Sequence, residues 1–156
     1  MNMLYGTYRV AFDASGRISI PLKMRNSFPE AMRDKIWVTI GYQKCIAGYN
    51  EKEFLRFFNA LASIRDINEI EKSELIGAFS KNLTDLTFDK QGRIVLPQNL
   101  VDFAELQHGS EVLVLGVMNH LEIWNPAAHA EQAQSSLQTV QTRLRSLNLD
   151  LATQIE

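Results

Sequence analysis

FDASGRISIP (Phe12 to Pro21) and FDKQGRIVLP (Phe88 to Pro97) are one motif written twice, 76 residues apart. Each reads Phe-Asp-x-x-Gly-Arg-Ile-x-aliphatic-Pro. One copy of Asp-x-x-Gly specifies only a turn: the carboxylate folds back onto nearby backbone N–H groups, and glycine takes the positive-φ position. Recurrence of the whole motif says that one supersecondary unit occurs twice in the chain. YRVAF and LTDLTF precede the turns at strand length, and the β-branched runs RISI and RIVL follow them. Asp13-Ala14-Ser15-Gly16 and Asp89-Lys90-Gln91-Gly92 therefore join antiparallel strands, with Arg17 and Arg93 where each strand leaves its turn. Pro21 and Pro97 stop the strands and suit the first turn of a helix, which is expected over Leu22 to Phe28 and Gln98 to Leu106.

The likeness continues. IWVTIG (Ile36 to Gly41) matches VLVLG (Val112 to Gly116) with one residue lost, and KCIAGY (Lys44 to Tyr49) matches NHLEIW (Asn119 to Trp124). Each half thus reads strand, turn, strand, short helix, strand, strand. A sheet that short has unpaired edges and too little core on its own. Two halves that complete each other remove both problems, so an α+β fold built as a pseudo-twofold β-barrel is expected. The chain divides into half-motifs at 4–50 and 84–124, a helical insert at 51–83 and a C-terminal helix at 125–156.

In the insert, Asn50-Glu51-Lys52-Glu53 and Asn68-Glu69-Ile70-Glu71 have capping-box spacing. Phe54, Phe57, Phe58 and Leu61, then Leu75, Ile76 and Phe79, follow at helical intervals as core-facing residues. After Asn125-Pro126 a long helix is expected to about Leu149 or beyond. Leu137, Val140, Leu144, Leu147, Leu151 and Ile155 form a heptad-like stripe that serves either as a domain-surface face or as a subunit contact.

Sixteen basic against eighteen acidic residues give a net charge of −2, which by itself argues against nucleic-acid binding. The charge is unevenly placed. Residues 1–44 carry seven basic and three acidic side chains, residues 45–84 five and six, and residues 85–156 four and nine. The first half is therefore the credible polyanion contact. No stretch is long and apolar enough to span a membrane, and MNMLYGTYRV lacks the basic leader and apolar run of a signal peptide, so the cytoplasm is expected. Cys45, the one cysteine, reads as a small core residue. His108, His120 and His129 lack zinc-site spacing, and no phosphate loop or nucleophile elbow is present, so neither metal, cofactor nor catalytic residue is expected.

The doubled Asp-x-x-Gly-Arg turn, with Cys45 near the end of the first unit and Glu122-Ile123-Trp124 closing the second, resembles the MraZ family over about residues 4 to 129. The resemblance implies two AbrB-like swapped-hairpin half-motifs. It also implies a bacterial, nucleoid-associated transcriptional regulator that binds double-stranded DNA at short G-containing direct repeats upstream of the division and cell-wall gene cluster. A ring of many subunits is a further implication. The chain departs from the family in its second unit, where Asn99 and Val101 stand in place of the first unit's Lys23 and Arg25. Before that unit GAFSKNL offers only Lys81 where the family has arginines.

Guanidinium groups on turns of a rigid sheet suit the O6 and N7 acceptors of guanine, and lysines beside them neutralise phosphates. Arg17, Lys23 and Arg25 are the expected primary DNA contacts, with Lys90 and Arg93 weaker ones. Asp13, Gly16, Asp89 and Gly92 shape the turns or orient the arginines. Asp–Arg pairing that merely locks each hairpin is the competing reading, stronger for Arg93 than for Arg17. At the level of the whole protein the competitor is an oligomeric interaction scaffold without sequence-specific DNA binding.

Overall fold

Both halves lay down the same five elements in the same order. The computed structural model describes residues 3–30 and 33–147. The first half supplies β1 (Thr7–Ala11), β2 (Arg17–Ser19), α1 (Leu22–Arg25), β3 (Lys35–Ile40) and β4 (Cys45–Tyr49), followed by α2 (Glu51–Ala62) and α3 (Glu69–Lys81). The second half supplies β5 (Thr84–Thr87), β6 (Arg93–Val95), α4 (Gln98–Phe103), β7 (Glu111–Val117) and β8 (His120–Trp124), followed by α5 (Pro126–Ser146).

Where a barrel is expected, the described strands form two separate antiparallel ladders and no closed sheet. One is six-stranded, in the order β1-β7-β8-β4-β3-β5, and the other pairs β2 with β6. Exchanging the halves turns the six-strand order into its own reverse, which is the signature of a pseudo-twofold axis. The register obeys it: Ile18 faces Ile94, its own equivalent, and Ala47 faces Glu122 at the centre of the β4/β8 pair. The halves are swapped into one another, since β1 pairs with β7 of the second half and β5 with β3 of the first. No edge of one half is completed without the other.

Strand alternation sets the core. Phe12, Ile18, Ile20 and Met24 from the first half meet Ile94, Leu96, Leu100 and Val101 from the second. The inner face of the large sheet (Ile36, Val38, Ile46, Val112, Val114, Leu121, Ile123) closes over them. Cys45 lies on the sheet's other face, fully buried, and burial pushes its thiol up to about 12, so it is a packing residue at neutral pH. Gly116 is required by close approach: a Cβ there would run into the backbone of Leu4 and Tyr5, which runs antiparallel beside the end of β7.

The short helices are briefer than the sequence suggests. After α1, the N–H groups of Ser27 and Phe28 reach back to the carbonyls of Met24 and Arg25, tightening the chain ahead of Pro29. The end of α4 is closed by Glu105 at φ 55°, with Leu106 N–H donating to the Val101 carbonyl at 3.0 Å and Glu105 N–H to Asp102 at 3.1 Å. That is a Schellman closure carried by a non-glycine residue.

Both insert helices begin as their capping residues require. Asn50 accepts from Glu53 N–H at 3.0 Å and Asn68 from Glu71 N–H at 2.8 Å. Their aromatic rings cover the outer face of the large sheet: Phe54 stacks on Trp37, Phe57 on Tyr49, and Phe79 meets Phe57 edge-on. The buried Thr39 hydroxyl donates to the Phe79 carbonyl at 2.7 Å, so no polar group is lost beneath the helices. Helix α5 leaves Leu137, Val140 and Leu144 exposed. The rest of the expected helix to Leu149 and beyond, including Leu151 and Ile155, lies outside the described residues.

Because Ile18 and Ile94 meet on the axis, each about 1% exposed, truncating either empties the joint between the halves. Ile94→Ala should cost about 2–5 kcal/mol in chemical denaturation, with a single cooperative transition. A loss below about 1 kcal/mol, or two separate transitions for the two halves, would contradict this packing.

Candidate nucleic-acid interface

The two Asp-x-x-Gly turns have the same internal wiring. In the first, Asp13 Oδ1 accepts from the N–H groups of Ser15 and Arg17, each at 2.9 Å, Gly16 N–H donates to the Asp13 carbonyl at 3.0 Å, and Gly16 has φ 81°. In the second, Asp89 Oδ1 accepts from Gln91 and Arg93, each at 2.9 Å, Gly92 N–H donates to the Asp89 carbonyl at 3.0 Å, and Gly92 has φ 75°. The backbone N–H of the following arginine is the main reason that both carboxylates are held below their ordinary range. These aspartates are spent on the turn and remain ionised at neutral pH.

Each turn is also tied to the opposite half. Ile20 N–H donates to the Gly92 carbonyl at 3.1 Å and Leu96 N–H to the Gly16 carbonyl at 2.9 Å, extending the β2/β6 ladder into both turns. The result is a rigid two-stranded ribbon with a tip at each end, about 13 Å apart along the strands. Ile18 and Ile94 point inward, so alternation puts Arg17 and Ser19 of β2, and Arg93 and Val95 of β6, on the outer face. Arg17 stands opposite Val95 and Ser19 opposite Arg93. Both arginines thus share one solvent-facing surface, diagonal to each other.

The arginines differ in their partners. The Arg93 Nε donates to Asp89 Oδ2 at 2.8 Å, which fixes the side chain. Arg17 makes no such ion pair among the described residues. The remaining expected contacts are placed unevenly. Lys90 is exposed on the second turn. Lys23 is exposed on α1 with its Nζ 4.5 Å from the centre of the Tyr5 ring, and that phenol holds the lysine above its ordinary range. Arg25 lies on α1 of the first half but reaches the second turn: its Nε donates to the Ile20 carbonyl at 3.0 Å, and its guanidinium occupies the space that a Cβ on Gly92 would take. Arg25, Lys90 and Arg93 therefore form one cationic group drawn from both halves, with Arg17 at the other end of the ribbon.

Sequence spacing did not reveal what covers the first turn. His108, on the α4–β7 loop, packs against Gly16 and tilts over the Phe12 ring at 4.7 Å between centroids. Its Nε2 lies 3.4 Å from the Gln98 Oε1, while Gln98 Nε2 donates to Asp102 at 2.8 Å. The pseudo-equivalent of Arg25 is Val101, which is buried, so the first turn has no second guanidinium. Glu122 and Trp124 are explained structurally: Glu122 accepts from Trp124 Nε1 at 2.9 Å and meets His120 Nε2 at 3.1 Å. Among the described residues no group of three His, Cys, Asp or Glu side chains is placed to hold a metal ion, and no helix is long and apolar enough to cross a membrane.

A family described as "MraZ protein, putative antitoxin-like" matches the chain twice, over residues 3–73 and 79–147. Each match runs past the four strands into the helix that follows, so α2 and α5 are equivalent; Pro126 lies 75 residues after Glu51, the offset of the strands that precede them. A "Transcriptional regulator MraZ" of Roseiflexus sp. (strain RS-1) is 33% identical over 80% of this chain and 82% of its own length. Proteins of the same name from Halothermothrix orenii and Caldicellulosiruptor saccharolyticus are 31% and 34% identical, over 94% and 79% of this chain and 100% and 81% of their own lengths. With its doubled turn, its swapped halves and two matches that together span nearly its whole length, the chain belongs to the MraZ family.

Proposed function

We propose that this protein is a sequence-specific DNA-binding transcriptional regulator, acting on the division and cell-wall gene cluster from the cytoplasmic nucleoid. The observation that carries the reading is the outer face of the β2/β6 ribbon, which carries Arg17 and Arg93 diagonally across one solvent-facing surface. A two-stranded β-ribbon fits the major groove of B-form DNA, where a guanidinium meets guanine O6 and N7 together. Relatives named as transcriptional regulators support the same reading.

In this mechanism the chain's work is positioning. Asp13 and Asp89 hold the turns, and Asp89 fixes Arg93 so that little side-chain entropy is lost on binding. Lys23, Arg25 and Lys90 neutralise phosphates on either side and set the register. A single protomer with net charge −2 has a modest grip. A ring of protomers on regularly spaced G-containing repeats multiplies it, because linked sites act at high effective concentration. The competing scaffold reading draws on the exposed Leu137, Val140 and Leu144 of α5, a face suited to a protein partner.

Binding titrations on the DNA preceding the protein's own gene separate the two. Arg17→Ala should weaken specific binding at least tenfold, at unchanged oligomeric size and melting temperature. Wild-type affinity should fall steeply with salt, and Lys90→Ala should flatten that slope by about 0.9 per contacting protomer without altering sequence preference. A correctly folded Arg17→Ala protein that binds as wild type does would favour the scaffold.

The shared cationic group at the second turn gives an independent check. Arg25→Ala and Arg93→Ala should combine non-additively in DNA affinity, with a coupling of about 0.5–3 kcal/mol. Arg25→Ala and Arg17→Ala, at opposite ends of the ribbon, should add within about 0.5 kcal/mol. Coupling of Arg25 to Arg17 instead would place Arg25 at the wrong tip.

A further inference from the structure

Val95 is the anomaly on the ribbon. It is 56% exposed on β6, directly opposite Arg17, on a face otherwise made of Arg17, Ser19 and Arg93. Nothing in the fold needs a branched apolar side chain there, since its neighbours Ile94 and Leu96 already supply the core below. Its pseudo-equivalent, 76 residues earlier, is Ser19, so the position accepts a small polar residue in the same backbone setting. Exposure of the isopropyl group in the free protein is a standing cost that contact with an apolar partner removes.

The surroundings narrow that partner. Arg17 and Arg93 make the face cationic, which disfavours a purely hydrophobic protein surface and favours a polyanion with an apolar spot. In the major groove of DNA the apolar spot is the C5-methyl of thymine. Directly opposed side chains on an antiparallel pair stand about 5 Å apart at Cβ, and successive bases are about 3.4 Å apart along the duplex. Arg17 on a guanine therefore brings Val95 over a neighbouring base.

We propose that Val95 is a specificity-determining residue that reads a thymine methyl group beside the guanine bound by Arg17. The inference rests on the DNA-binding reading above and adds a second base to it. The two ends of the ribbon then have different preferences: the Arg17–Val95 end asks for guanine next to thymine. The Ser19–Arg93 end asks for guanine with no methyl requirement, because a serine hydroxyl pairs with either kind of base edge.

The test uses the full-length protein and the DNA preceding its own gene, prepared once with thymidine and once with deoxyuridine, which lacks only the methyl group. Wild type should bind the deoxyuridine DNA about fourfold more weakly for each contacting protomer, the value of one buried methyl-sized group. Val95→Ser should bind thymidine DNA as weakly as wild type binds deoxyuridine DNA, and should not distinguish the two. Its melting temperature should match wild type, since the side chain is exposed. The proposal is overturned if wild type is indifferent to the substitution, or if Val95→Ser loses as much as wild type does, which would trace the effect to DNA shape. Failure of wild type to bind either DNA specifically would remove the regulator reading itself, a result distinct from indifference.

Discussion

Three antiparallel residue pairs across a pseudo-twofold axis, Arg17 with Val95, Ile18 with Ile94 and Ser19 with Arg93, hold the molecule's two halves in register. Between Gly16 and Ile20, and between Gly92 and Leu96, each half lends its strand to the other's turn. Every other part of the design follows from that constraint. The hairpins are too short to persist alone. Their inward isoleucines are buried in the core that both halves build together, and the Gly16 and Gly92 carbonyls of their turns accept from the opposite strand. A side chain placed beside either turn is therefore held by the packing of the entire core, which is what a reading head on DNA requires.

Symmetry of backbone does not extend to chemistry. One end of the ribbon carries an arginine without an ion pair among the described residues, an exposed valine and a histidine-covered glycine. The other carries a fixed arginine, an exposed lysine and the guanidinium of Arg25. Duplicated halves are free to diverge in this way as long as the axis pairs remain, because the core sees only Ile18, Ile94 and their neighbours. In the proposed function this divergence turns one repeated motif into two unlike base-reading ends.

Much of this was legible in the sequence because turns and strands are written locally. Asp-x-x-Gly-Arg fixes its own hydrogen bonds within five residues, and the 76-residue offset announces the axis. The asparagine caps of the insert were equally local. Three features were not legible, each because it depends on contacts between distant segments. Arg25 belongs by sequence to the first turn and by space to the second, since the swapped strands carry α1 across the ribbon. His108 covers Gly16 through a loop that no motif marks. The equivalence of α2 and α5 is hidden by composition, phenylalanine-rich in one and alanine- and glutamine-rich in the other. In α2 the phenylalanines are explained by Trp37 and Tyr49 beneath them.

In the proposed function, arginines on a β-ribbon read guanine from the major groove. Methylation interference on DNA preceding the protein's own gene addresses it most directly, because dimethyl sulfate places a methyl group on guanine N7, the atom a guanidinium would contact. Guanines at regularly spaced repeats, once methylated, should be excluded from the bound DNA. Bound DNA methylated at every guanine as freely as unbound DNA would contradict that reading.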